Sequence, residues 1–265
     1  MQTFELSLGT APLLISLPHN GTYMPPELAP TMTAAAQLRE DTDWHVDRLY
    51  AFAEALGASI IKPLCSRYVI DLNRPPDNAE LYPGANGTEL CPTTTFAEQA
   101  LYLPGQEPSA EEIGRRIRQY WQPYHQAIQV ELERLQQQHG RAVLFEGHSI
   151  RSRVPRLFGG VLPDFNIGSA EGASCSLELT TQLERVLAQQ SDYSYVVNQR
   201  FKGGYITRAY GQPKNNIHAV QLELVQNTYM QEQPPFAFDQ VKAGRVSPLL
   251  EQLIDSVLAW AKEGI

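Results

Sequence analysis

Short apolar runs of strand length alternate along this chain with longer stretches that carry apolar residues at helical spacing, and polar or glycine-containing turns separate them. A run of four to eight apolar residues bounded by turn signals reads as a buried strand, whereas apolar residues recurring every three or four positions read as a helix. Leu13–Leu17 is the first such run and ends at Pro18-His19-Asn20-Gly21, where the glycine suits a sharp turn. Asp41 to Leu56 follows as a helix, with Asp41 or Thr42 as cap, Leu49, Phe52, Ala53 and Leu56 as apolar face, and Gly57 as stop. Ser59–Lys62 and Tyr68–Leu72 read as strands. Ser109-Ala110-Glu111-Glu112 is a capping box heading a long charged helix to about His139, which Pro123 kinks or divides. Ala142–Phe145 is the next buried strand and ends at Glu146-Gly147-His148-Ser149. A helix from about Ser174, a strand at Tyr195–Val197, the loop Phe201-Lys202-Gly203-Gly204-Tyr205 and a strand at Ala219–Val225 come next. A last helix opens at Ser247-Pro248, where proline's missing N–H costs nothing.

This alternation predicts an α/β sandwich around a parallel or mixed sheet. The chain has 265 residues, 43% of them hydrophobic, which is enough for a substantial core. It shows no internal repeat or linker, so a single domain over residues 1–265 is expected. The segment from Pro75 to Pro108, rich in Pro, Gly, Asn and Thr, is too long to be an idle connection and reads as a functional loop.

Lys and Arg number 21 against 29 Asp and Glu, a formal net charge of −8. That balance argues against nucleic acid as a partner, because phosphate contacts need a basic surface. It leaves room for a small cationic pocket. Cys65, Cys91 and Cys175 are far apart and form no CxxC pair, which points to a reducing cytoplasm rather than a disulfide framework. No apolar stretch is long enough for a membrane span, and the N-terminus lacks the basic start of a signal peptide.

Ligands of α/β sheets gather beyond the carboxyl ends of the strands, and His19, His148 and Glu223 all fall there. A lone loop histidine is usually a surface residue; two that follow buried strands are better candidates, since stranded polar groups are costly to bury. His45, His125 and His139 fall on expected helices and read as structural. His218 lies five positions before Glu223, which puts the two on opposite faces of a strand. Asp41, Asp43 and Asp47 exceed what a helix cap requires, so one of them is a candidate metal ligand. Two histidines, one carboxylate and an open water position make the usual catalytic zinc site. Glu223 is either a solvated strand residue or a general base. Arg67 and Arg74 bracket a β pattern and are either solvated or suited to clamp a carboxylate through a planar fork. A serine-hydrolase elbow fails at Arg151, where a glycine is required, and no P-loop or dinucleotide fingerprint is present.

The stretches LPHNGTYMP, DTDWHVDRLY, SRYVIDLNRPPD, FEGHSIRS, LFGGVLPDFNIGS, FKGGYITRAYG and HAVQLELVQNTYM resemble the N-formylglutamate amidohydrolase family of histidine catabolism, from about Leu17 to Met230. The family looks like a distant relative of zinc carboxypeptidases and aspartoacylases. The resemblance therefore implies a three-layer α/β/α sandwich with a mixed central sheet, one zinc ion, and hydrolysis of the small anionic substrate N-formyl-L-glutamate. It makes His19, Asp43 and His148 the metal ligands, with Asp47 as the rival carboxylate, and Glu223 the catalytic base. Asn73-Arg74 matches a pair that holds a substrate carboxylate, and Arg67 an arginine of the same pocket that could serve the oxyanion. For the second carboxylate Arg208 is favoured over Arg151, Arg153 and Arg200. The alternatives are a zinc deacylase or carboxypeptidase for another acidic N-acyl amino acid, and a non-catalytic dicarboxylate binder.

Overall fold

A computed structural model of the chain describes residues 2–80 and 87–263; part of the expected functional loop, 81–86, lies outside the described residues. In chain order the elements are β1 (Phe4–Ser7), β2 (Leu13–Ser16), α1 (Ala34–Leu38), α2 (Val46–Tyr50), β3 (Ser59–Pro63), α3 (Ala110–Arg116), α4 (Gln122–His139), β4 (Ala142–Ile150), β5 (Phe165–Gly168), α5 (Leu177–Ala188), β6 (Tyr195–Val197), α6 (Tyr205–Tyr210), β7 (Ile217–Val225) and α7 (Gln240–Lys262). They form one seven-stranded sheet in the order β1-β3-β2-β4-β7-β5-β6. The central strands β3, β2, β4 and β7 run parallel, whereas β1 is antiparallel to β3 and β5 is antiparallel to β7. The sheet is mixed, with helices on both faces.

Strand alternation decides which layer each side chain enters. Leu13, Ile15, Val143, Phe145, Val220, Leu222 and Leu224 pack with α2, α5 and α7 on one face. Leu14, Ala142, Leu144 and Ala219 pack with α4 and Ile206 of α6 on the other. On this second face the apolar sequence stops part-way up the two central strands. Ala142 and Leu144 give way to Glu146 and His148, and Ala219 to Gln221 and Glu223, all of them buried. The register pairs Glu146 with Gln221 and His148 with Glu223. A continuous apolar face under α5 and α7 thus backs a polar patch that begins where α4 no longer covers the sheet.

Several sequence expectations change. The helix expected over Asp41 to Leu56 opens only at Val46, after His45 in the left-handed region, so Asp41 and Thr42 do not cap it. Asp41 instead accepts from the Tyr68 hydroxyl (2.7 Å) and the Phe96 N–H (2.8 Å). Tyr68–Leu72 is a series of turns rather than a strand, with Val69 N–H donating to Ser66 O and Arg74 N–H to Asp71 O. Coiling brings Arg67 and Asp71 within 2.7 Å, a pair that full extension would hold roughly 13 Å apart. The last helix starts at Gln240, capped by Asp239, and carries Pro248 in its interior. Ala243 and Val246 extend its buried face a full turn and more upstream of Pro248. Gly21 is needed for close approach rather than for a turn, since a Cβ there would lie 2.2 Å from the Cys65 carbonyl oxygen. The Ser109 cap holds, accepting from the Glu112 N–H; Pro123 sits just past a π-helical turn at Ile117–Trp121 that divides the long helix.

Candidate active site

β2 delivers His19 just past its end, β4 delivers His148 near its own, and the turn before α2 delivers Asp43, whose N–H donates to His19 O (3.0 Å). The three side chains converge so that one ligand atom from each lies within 4.8 Å of the others. Asp43 Oδ2 is 3.0 Å from His148 Nδ1 and 3.8 Å from His19 Nδ1. The opposite ring nitrogens are held by carboxylates: His19 Nε2 lies 2.7 Å from Asp71 Oδ1, and His148 Nε2 lies 2.8 Å from Glu146 Oε1. An ionised carboxylate only accepts, so each Nε2 carries the hydrogen and each Nδ1 is turned toward the common centre. This is how metal-ligating histidines are usually oriented from behind, and the donor set of two imidazoles and one carboxylate suits a catalytic zinc ion. Asp47, by contrast, bonds Asn20, Lys62 and the Arg48 N–H, away from both histidines.

The electrostatics agree with this arrangement. Burial and the Arg67 charge lower the His19 pKa, which keeps the ring neutral. Burial also works against charge on His148, yet Glu146 and the hydrogen bonds to Asp43 and Glu146 hold it well above the ordinary range, so a metal ion would displace a proton from Nδ1. Burial opposes ionisation of Asp71, but the hydrogen bond from His19 and the Arg67 charge keep its carboxyl well below the usual range. Arg67 donates to Asp71 Oδ2 (2.7 Å), lies 4.0 Å from Asp43 Oδ1 and places its guanidinium 4.8 Å from the centre of the Phe96 ring. Burial pushes the Glu223 carboxyl up to about 8, with Asp43 and Glu146 adding to the rise and His148 and Arg67 opposing it.

Several of these groups line a cavity of about 330 Å³. Its walls include His19, Arg67, Asn73, Arg74, His148 and Glu223, together with Thr88, Glu89 and Phe96 from the long segment after Pro75. Arg74 is steadied by Thr88, which accepts at its carbonyl (2.9 Å) and its hydroxyl (3.1 Å). Asn73 Oδ1 accepts from the Ile206 N–H (2.8 Å), and its Nδ2 lies 3.1 Å from His148 Nε2. Arg208 is not among the lining residues; it sits on α6 with Nε donating to Gly203 O (2.9 Å). Arg200 lines the cavity instead. The other histidines lie elsewhere: His45 reaches Phe236 O (2.8 Å), His125 stacks on Trp121, His139 ends α4, and His218 contacts Trp260 on the far face.

The family model for N-formylglutamate amidohydrolase matches residues 11–230. The chain belongs to the N-formylglutamate amidohydrolase family. It is 51% identical over 262 residues to a curated N-formylglutamate deformylase of Pseudomonas aeruginosa, covering 99% of this chain and 98% of the relative. It is 48% identical to one of Pseudomonas putida, covering 96% and 95%. The crystal structure of an N-formylglutamate amidohydrolase from Ralstonia eutropha superposes with a TM-score of 0.86 at 25% identity, over the full length of both chains. The chain is thus an amidohydrolase, and its family membership fits a polar cavity built around a buried His-Asp-His group.

Sequence reasoning overlooked Asp71, Glu146 and Gln221. A signal for Glu146 was present: it is two residues from His148, hence on the same face of one strand. Gln221 stands in the same relation to Glu223 and accepts from the Gly204 N–H (2.7 Å). No local signal marks Asp71, because its partner His19 is 52 positions away.

Proposed function

We propose that the chain hydrolyses N-formyl-L-glutamate to formate and L-glutamate with one bound zinc ion, as a step of histidine degradation in the cytoplasm. The observation that carries the reading is the pairing of Glu223 with His148 in strand register, beside His19 and Asp43, in a cavity lined by arginines. His19 Nδ1, His148 Nδ1 and one Asp43 oxygen would hold the ion, which when bound supplies Lewis-acid polarisation of the formyl carbonyl and acidifies water.

The chain's own residues do the rest. Glu223, paired in strand register with His148, accepts the proton of the attacking water in its ionised form and returns it to the departing glutamate nitrogen. Arg67, held rigid between Asp71 and Phe96, offers a fixed cation to the oxyanion as it develops. Arg74 takes the α-carboxylate; Asn73, whose oxygen is committed to Ile206, can offer it only an amide N–H. Asp71 and Glu146 keep the two imidazoles turned inward.

The test is formate release over a panel of N-acyl amino acids, with native protein, chelated protein and protein resupplied with zinc. Activity on N-formylglutamate, lost on chelation and restored by zinc, is expected. No formate from that substrate with metal restored would sink the reading.

A further inference from the structure

The turns from Val69 to Arg74 carry Asp71, Asn73 and Arg74 to the cavity. A strand would give its carbonyls to a sheet neighbour; here three side chains from the helical stretch between α3 and α4 take three of them. Arg116 Nη1 donates to Val69 O (2.9 Å), His125 Nε2 to Leu72 O (2.8 Å) and Trp121 Nε1 to Arg74 O (2.9 Å). Arg116 and Trp121 stand five positions apart, which on an α-helix sets them roughly 140° apart around the axis. The π-helical turn at Ile117–Trp121, where the Gln122 N–H bonds Ile117 O, widens the helix there and lets both reach one segment. His125 follows Trp121 by four positions on the same face, and the two rings stack with centres 3.7 Å apart.

Resting on the α-carboxylate role given to Arg74 above, we propose that Trp121, with His125, is a positioning residue for the α-carboxylate end of the substrate site. The carbonyls of Leu72 and Arg74 belong to the peptide planes on either side of the Asn73-Arg74 pair, and a rigid plane held at its oxygen cannot turn freely. Between them, Asn73 O accepts from Arg74 Nη1 (3.4 Å). Pro75 and Pro76 follow, and neither has an N–H to offer. The carbonyl of Arg74 is thus the nearest handle on the C-terminal side of the pair, and Trp121 takes it. At its other end the Arg74 guanidinium is held by Thr88. A planar fork fixed at both ends meets a carboxylate with little rotamer freedom left to lose, and that preorganisation goes into affinity. Neither Trp121 nor His125 is among the residues lining the cavity, so their effect passes through Asn73 and Arg74.

The experiment reads binding apart from turnover. In a zinc-loaded Glu223→Gln background, calorimetry compares N-formyl-L-glutamate with its α-amide, N-formyl-L-isoglutamine. Adding Trp121→Phe keeps an aromatic ring against His125 and removes the N–H. It should weaken N-formylglutamate roughly 3- to 10-fold, the scale of one net hydrogen bond, and the α-amide at most about twofold, with zinc content unchanged. Replacing the Trp121 indole by its benzothiophene isostere, which keeps the ring shape and puts sulfur in place of the N–H, should give the same pattern without a packing defect. The isostere decides: native affinity for N-formylglutamate, or an equal loss of both ligands, overturns the assignment. Arg74→Lys in the same background should show the same preference for weakening the ligand with the α-carboxylate. If it does and the isostere does not, the role of Trp121 falls and the α-carboxylate site stands; if Arg74→Lys weakens both ligands equally, the site falls and the positioning role with it. Wild-type protein that binds N-formylglutamate selectively but releases no formate would overturn the proposed reaction and leave Trp121 standing.

Discussion

At the scale of the residue, the site is a set of histidines aimed by carboxylates, and its parts are separable by substitution. His19→Ala or His148→Ala removes one of three inward donors, so each variant should lose its bound zinc by metal analysis and its activity with it. His45→Ala should lose neither, since that ring is occupied with Phe236 O. Asp43→Asn should lower metal affinity far more than Asp47→Asn, because Asp47 is spent on Lys62 and Asn20. Equal zinc retention by the two would move the ligand assignment. Glu223→Gln keeps shape and loses basicity, so it should retain zinc while kcat falls ~10²–10⁴-fold, the usual range for a general base. A near-native kcat would reduce Glu223 to a strand residue. Glu146 escaped the sequence reading because the apolar run stops at Phe145, whereas β4 runs on to Ile150; His148 and Thr207 together satisfy it.

At the scale of the element, α6 and α4 carry the site without touching the reaction. The N-terminal N–H groups of α6 and its lead-in are taken up by site side chains: Gly204 by Gln221, Ile206 by Asn73, Thr207 by Glu146. Gly204 passes so close to Asn73 that a Cβ would come within 2.3 Å of its amide. Gly204→Ala should therefore displace Asn73 and raise KM for N-formylglutamate several-fold with zinc content unchanged; an unaltered KM would show that Asn73 can move aside at no loss. On α4, His125 sits between Trp121 and Tyr210, with Nε2 donating to Leu72 O (2.8 Å), and burial pushes its pKa down to about 4. The unfolded chain binds this proton near pH 6.5, so the contribution is whole above that pH and is lost as pH falls toward 4. The loss amounts to at most about 3 kcal/mol, from a shift of roughly 2.5 units. Denaturant unfolding between pH 7 and 4 should show a steeper decline for wild type than for His125→Phe. Parallel curves would mean the ring is protonated in the folded state.

At the scale of the whole molecule, an ion held by His19, Asp43 and His148 would tie β2, β4 and the turn before α2 into one unit. A ligand that binds only the folded chain stabilises it by RT ln(1 + [L]/Kd), roughly 4 kcal/mol at a thousandfold excess over Kd. Chelation should then lower Tm by several degrees, and zinc should restore it; a Tm indifferent to chelator would place the ion, if any, outside the folded core. Net charge of −8 repels a dicarboxylate only weakly at long range, because charges beyond a Debye length of about 8 Å are screened at physiological salt. Arg74→Lys should accordingly hurt kcat/KM for N-formylglutamate although it preserves the charge, and should do so far less for the α-amide.

Alternation of apolar runs with amphipathic stretches was enough to state an α/β sandwich, because burying one face per strand and one stripe per helix admits few arrangements. It also separated His218 from Glu223, since a strand's period of two is a local property. The short strands β1, at one edge of the sheet, and β5, between β7 and β6, carried too few residues for that signal. The helix over Asp41–Leu56 was placed too early and the strand at Tyr68–Leu72 did not form, because Asp41, Arg67 and Asp71 answer to partners far away in sequence. What only the tertiary structure decided was the set of pairings across the cavity: Asp71 behind His19, Glu146 behind His148, and Arg200 in place of Arg208 on the wall. Hydrogen bonds and charges act over a few ångströms in space, while the residues that make them stand tens of positions apart along the chain.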